Sequence, residues 1–182
     1  MIKKNLIFSS ILIFLLSTLL LATEGEKMEF KSPDFENLKP IPKKYTCFGE
    51  NIAPKLIWSN EPKETKSFVI IMDDPDAVSG TWDHWIVYDI PSNIHSINEG
   101  GELPKGAKAG EATNSQKSYV GPCPPKGSGI HNYTFKLYAL DIEKLNPKGM
   151  KKSSIEEAMK GHILAEKKLI GTCQKKKSFF FF

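Results

Sequence analysis

Proline and glycine interrupt the middle of this chain so often that it has room for short strands and loops rather than long helices. Ser32-Pro33, Lys39-Pro40-Ile41-Pro42 and Gly49-Glu50-Asn51 break its early part into extended pieces. The apolar runs that survive are short. Lys55-Leu56-Ile57-Trp58 is one strand candidate. Ser67-Phe68-Val69-Ile70-Ile71-Met72 is almost continuously apolar and stops at Asp73-Asp74-Pro75, the pattern of a strand buried on both faces. Trp85-Ile86-Val87-Tyr88 repeats the pattern and ends before Pro91. From Tyr133 to Leu140 the chain alternates, with Phe135, Leu137 and Ala139 on one face, which predicts a half-buried strand. Between the last two runs, residues 93–130 are rich in Gly, Pro, Lys and Ser. A stretch that long without regular structure is usually functional in a compact domain.

Helical signals come only near the end. Ser154-Ile155-Glu156-Glu157 has the form of a capping box, with Ser154 as N-cap and Glu157 three residues on. Ile155, Ala158 and Met159 make an apolar stripe, Gly161 interrupts it, and Ile163, Leu164 and Leu169 extend an apolar face towards Gly171. The expectation is a mainly β fold of mostly antiparallel sheets with one or two C-terminal helices. No repeat or long linker divides the chain, so residues 26–175 read as a single domain.

The ends are different. Lys3 and Lys4 precede an uncharged apolar run from Leu6 to Leu21, followed by Ala22-Thr23-Glu24-Gly25. That is the layout of a secretory signal peptide over residues 1–25. The alternative is an uncleaved anchor at residues 6–21, about 24 Å of helix and short for a bilayer core of about 30 Å. Either reading places the domain outside the cytoplasm, periplasmic or extracellular, and limits membrane contact to this segment. Residues 176–182 form a tail of two lysines, a serine and four phenylalanines with no evident structural role.

Charge excludes one class of partner. The formal net charge is +4, every basic residue is Lys, and the lysines are scattered among Asp and Glu. Nucleic-acid readers cluster their basic residues and rely on Arg forks, so no nucleic-acid partner is expected. The three cysteines, Cys47, Cys123 and Cys173, match no zinc spacing. An odd number leaves at least one outside any intrachain bridge.

Two segments carry potential chemistry. Asp73-Asp74-Pro75-Asp76 crowds three carboxylates at the end of a buried strand, and Trp82-Asp83-His84-Trp85 opens the next one. A Pro- and Gly-rich loop, Gly121-Pro122-Cys123-Pro124-Pro125, leads through Gly127-Ser128-Gly129 to His131 and Tyr133. Each feature also has a plain structural reading. Asp74 and Asp76 can cap the turn through their own backbone, and His84 can be a hydrogen-bonded core histidine. His95 reads as exposed, and His162 as a packing or capping residue in the helical stretch. Cys123 lacks an assigned base and is a weak nucleophile candidate.

These stretches, together with Tyr45-Thr46-Cys47, His131-Asn132-Tyr133 and Gly161-His162-Ile163-Leu164-Ala165, occur in one order between Phe30 and Thr172. In that order they resemble the bacterial branch of the phosphatidylethanolamine-binding protein family, also called the Raf kinase inhibitor proteins. The resemblance implies a β-sheet fold with a small surface pocket for phosphate-like or carboxylate groups. Carried over by position, the pocket residues are Asp74, Asp76, His84, Gly121, Pro125 and His131, with Tyr133 nearby. Two departures stand out. Asn132 replaces the usual Arg after the loop His, and Gly171-Thr172-Cys173-Gln174 replaces a Gly-Thr-Tyr-basic closure.

The resemblance implies a non-enzymatic binding or regulatory protein for small anionic, phospho-group or phospholipid-headgroup ligands. In some members it implies inhibition of a kinase or protease target, and it allows a homodimer. No catalytic residue, metal or cofactor is expected. An anion site holding two carboxylates works if the imidazoles carry positive charge and the carboxylates orient them and raise their pKa. Loop N–H groups would add donors. Two other functions compete: a metal-dependent hydrolase using the His and Asp cluster, and an envelope scaffold using the termini.

Overall fold

The computed structural model describes residues 27–175. The segment read as a signal peptide or anchor, residues 1–25, and the tail at 176–182 lie outside the described residues. The elements run β1 (Glu29–Lys31), β2 (Lys39–Pro40), β3 (Leu56–Ser59), β4 (Ser67–Asp74), β5 (Trp82–Pro91), β6 (Ser96–Ile97), β7 (Lys108–Ala109), β8 (His131–Leu140), α1 (Lys152–Met159) and β9 (Ile163–Cys173). One sheet has six strands in the order β2-β9-β8-β4-β5-β7, and the other has three, β1-β3-β6. All strand pairs are antiparallel except β2 with β9. The mainly β architecture with a C-terminal helix is the one expected.

The main core lies between the two sheets. Phe30, Leu56, Trp58 and Ile97 from the small sheet meet Phe68, Ile70, Trp85, Phe135 and Leu137 from the large one. On the other face of the large sheet, Val69, Ile71, Ile86, Tyr88 and Tyr138 pack with Ile155 and Met159 of α1. Strand β4 sits between β8 and β5 and is buried at every position, as its apolar run requires.

Three local expectations need correction. Strand β8 is not half-buried: Tyr133, Phe135, Leu137 and Ala139 enter the inter-sheet core, while Tyr138 and Leu140 enter the layer beneath α1. Its alternation reflects amphipathic Tyr and Thr on the second face rather than exposure. The helix starts at Lys152 with Lys151 at its cap and no side-chain cap bond, so Ser154 lies inside it. Lys152 is anchored beneath the helix by Asp73 at 2.5 Å and Asp83 at 3.3 Å, which sets the start earlier than the capping-box pattern does.

The third correction removes the second helix. Residues 163–173 form a strand, paired with β8 from His131↔Cys173 to Leu140↔Ile163. Gly161 turns the chain with φ +80°, placing His162 in that turn rather than in a helix, where it pairs with Asp141 at 2.8 Å. Strand β2 covers β9 only at Gly171 and Thr172. Ahead of that point β9 has β8 on one side and no strand on the other among the described residues.

Candidate functional site

Strand alternation delivers the site. Asp74, His131 and Tyr133 lie on the inter-sheet face at the end of β4 and β8, where the apolar core gives way to polar groups. The Asp74 carboxylate is buried and does two things. Its Oδ1 accepts the Asp76 N–H at 2.9 Å, capping the turn after β4. Its Oδ2 accepts from His131 Nδ1 at 2.8 Å. One side chain therefore caps the turn and also holds the His131 ring. His131 Nε2 faces Ser128 Oγ at 2.9 Å.

His84 is held differently. Its Nδ1 lies 2.7 Å from the Val120 carbonyl, which can only accept, so Nδ1 carries the hydrogen and neutral His84 keeps its lone pair on Nε2. Its ring meets Tyr133 edge-on at 5.1 Å. Burial pushes the His84 pKa below its ordinary value; the Val120 bond and the nearby Asp74 charge oppose this without overcoming it. The expected upward shift from carboxylates therefore fails at His84, because desolvation outweighs them.

The Tyr133 hydroxyl is buried near the Asp74 carboxylate and the Cys123 backbone, without a well-formed hydrogen bond to either or to any other group of the described residues. Burial, and then the Asp74 charge, drive its pKa far up. It remains a donor at any physiological pH, which leaves an O–H group open to a guest.

Asp76 turns away from this cluster. Its Oδ2 accepts both the backbone N–H of Asn132 at 2.8 Å and the Asn132 side-chain amide at 2.9 Å. These donors hold its carboxyl below the usual range. The residue that stands in place of a family Arg thus ties the β4–β5 turn to β8 and adds no charge.

The loop wall is pinned from behind. A disulfide joins Cys47 to Cys123 across 76 residues, and the Cys47 N–H donates to the Pro122 carbonyl at 3.1 Å. The Gly121 N–H donates to Asn51 Oδ1 at 2.9 Å, so this loop amide is already engaged. A Cβ on Gly121 would sit 2.5 Å from Asn51 Oδ1 and 2.6 Å from the Tyr45 carbonyl; only glycine fits there. Cys173 is the free, buried thiol, and burial raises its pKa.

Together these parts enclose a cavity of about 280 Å³ lined by Asp74, His84, Gly121, Pro125, His131 and Tyr133, with Trp82, Val120 and Pro124 as apolar walls. Asp76 is the one residue of the carried-over set outside the lining. No lysine contributes to it. The mouth is open, and Val78 on it is 83% exposed. Sequence reasoning missed Val120, which acts through a backbone carbonyl, and Asn51, a polar loop residue far away in the chain. Among the described residues, no group of three or more His, Cys, Asp or Glu is arranged to hold a metal ion. His95 is not part of the site; it pairs with Glu61 at 2.7 Å on the surface.

Comparison with known proteins completes the description. The family profile described as phosphatidylethanolamine-binding protein matches residues 31–174. A UPF0098 protein of Aquifex aeolicus is 46% identical over 158 residues, covering 84% of this chain and 91% of the relative. A protein named as lipoprotein LppC of Mycobacterium tuberculosis is 35% identical over 151 residues, covering 83% of this chain and 74% of that one. The crystal structure of a phosphatidylethanolamine-binding protein homologue from Chlamydia trachomatis superposes with a TM-score of 0.76 at 40% identity, covering 82% of this chain and 98% of the other.

Proposed function

Because this chain belongs to the phosphatidylethanolamine-binding protein family, we propose that it is an exported binding and regulatory protein whose cavity takes a small phosphate-like or headgroup-like anion. The observation that carries this reading is the buried Tyr133 hydroxyl without a partner, beside the neutral His84 ring and the apolar mouth. A buried polar group left unpaired is costly, and a ligand oxygen accepting from it would remove that cost.

The lining has no lysine, so charge must arrive with the ligand. The His84 Nε2 lone pair repels an anion oxygen until it takes up a proton. Anion binding therefore couples to protonation of His84, and affinity rises as pH falls towards its depressed pKa. The exposed Val78 gives the rim an apolar surface for whatever carries the phospho-group. Two observations support export: a Cys47–Cys123 disulfide, which persists in oxidising compartments, and the relative named as a lipoprotein.

The test is calorimetric titration with phosphate, phosphoethanolamine and acetate between pH 5 and 8, in two buffers of different ionisation enthalpy. Saturable binding with net proton uptake supports the reading. Affinity that stays flat across that range, without proton uptake, rejects the His84 mechanism.

A further inference from the structure

The binding reading leaves Ser128 unused. Its Oγ stands 2.9 Å from His131 Nε2, and His131 Nδ1 stands 2.8 Å from Asp74 Oδ2. Base and carboxylate are both buried, while the serine is exposed on the loop. We propose that Ser128, His131 and Asp74 form a nucleophile–base–carboxylate relay that hydrolyses small carboxylic esters whose acyl group enters the cavity. This activity goes beyond the binding reading and does not depend on it.

The geometry meets the requirements of such a relay. Ionised Asp74 accepts from Nδ1–H, so neutral His131 presents its Nε2 lone pair to the serine hydroxyl. Ser128 is flanked by Gly127 and Gly129, with φ +88° and +93°. Nothing lies within 4 Å of a Cβ placed on Gly129, so one side of the nucleophile is open to substrate. The backbone N–H groups of Gly127 and Gly129 have no hydrogen-bond partner among the described residues, and they are available to a developing oxyanion. The single Ser128 hydroxyl hydrogen has two acceptors at 2.9 Å, His131 Nε2 and the Pro125 carbonyl, and it must point to Nε2, not to the carbonyl, for the serine to act as nucleophile. Pro125 and His131, the two groups that Ser128 Oγ contacts, both line the cavity.

The steps balance. Oγ bonds to the ester carbonyl carbon as its proton passes to Nε2. The tetrahedral species collapses, the bond to the alcohol oxygen breaks, and the alcohol leaves with that proton. Water then attacks the acyl-serine, giving its proton to Nε2, and the carbon–Oγ bond breaks as that proton returns to Oγ. The products are one acid and one alcohol.

The experiment uses the full chain with 4-nitrophenyl acetate as substrate and a fluorophosphonate as covalent probe. The expected result is probe attached to Ser128 by peptide mass spectrometry. The hydrolysis rate should fall about tenfold or more in Ser128→Ala. Asp74→Asn, which disturbs the tautomer, should lower the rate in the same way. Wild-type hydrolysis in Ser128→Ala, or a wild-type protein that neither labels at Ser128 nor hydrolyses the ester above the buffer rate, overturns the proposal. Phosphate titration of Ser128→Ala reports separately on the cavity, so loss of one activity is distinguishable from loss of the other.

Discussion

Asp73 and Asp74 are adjacent in β4 yet point to opposite faces of the large sheet. Asp73 receives Lys136 at 2.6 Å and Lys152 at 2.5 Å beneath α1. Asp74 receives His131 at 2.8 Å in the cavity. Strand alternation thus divides one acidic run into a structural anchor and a site residue, and substitutions at the two positions should separate.

Asp73→Asn should lower stability by about 2 kcal/mol, because the buried negative charge that pairs with two ammonium groups is lost while those groups can still reach solvent. Ligand affinity should hardly change. Urea unfolding gives the first quantity and calorimetry the second. An affinity loss as large as that of Asp74→Asn would contradict the division.

Tyr133→Phe should leave the unliganded protein as stable as the parent, or more stable by about 1 kcal/mol, since it removes a buried hydroxyl with no partner. It should weaken phosphate binding. Thermal melts with and without phosphate test both halves. A marked drop in unliganded stability would mean that the hydroxyl is already satisfied.

His84 sets a pH dependence. Its folded pKa is depressed, so the unfolded state binds the proton more readily. Its contribution is fully present above the unfolded value of about 6.5 and is lost as pH falls through the folded pKa. Melting temperature without ligand should therefore decline on acidification, less steeply in His84→Gln and less steeply with phosphate present. Identical slopes in parent and variant would assign the acid sensitivity elsewhere.

Removing the disulfide in a Cys47→Ser, Cys123→Ser double variant should reduce stability by about 4.5 kcal/mol, from the entropy of a closed loop of this length. It should also loosen the wall that carries Gly121 and Pro125, weakening anion affinity. Guanidinium unfolding with matched titrations would show both effects. Unchanged affinity would mean that the Asn51 and Tyr45 contacts hold the wall without the bridge.

The central strands were legible because burial on both faces demands an unbroken apolar run, and Ser67–Met72 supplies one. The cavity residues were legible because a carboxylate, two imidazoles and a glycine-bearing loop recur as an ordered set. Strand β9 was not. Its exposed half mixes Ile163 and Leu164 with Glu166, Lys167 and Lys168, and an edge strand exposed on this scale loses the period that separates strand from helix. The protonation state of His84 was also hidden, because it is fixed by a backbone carbonyl at Val120 and by the depth of burial. Neither has a residue type as its signature.

The uncovered part of β9 has a further consequence. The Ile170 N–H and C=O already engage Asn37 and Leu38, so by alternation the same groups of Lys168 and Glu166 face outwards. They form a short template onto which another extended chain could be laid. Charges on consecutive residues make that template a poor host for apolar strands. Replacing Glu166, Lys167 and Lys168 with uncharged β-branched residues would leave the fold intact and turn a guarded rim into a seed for fibrils.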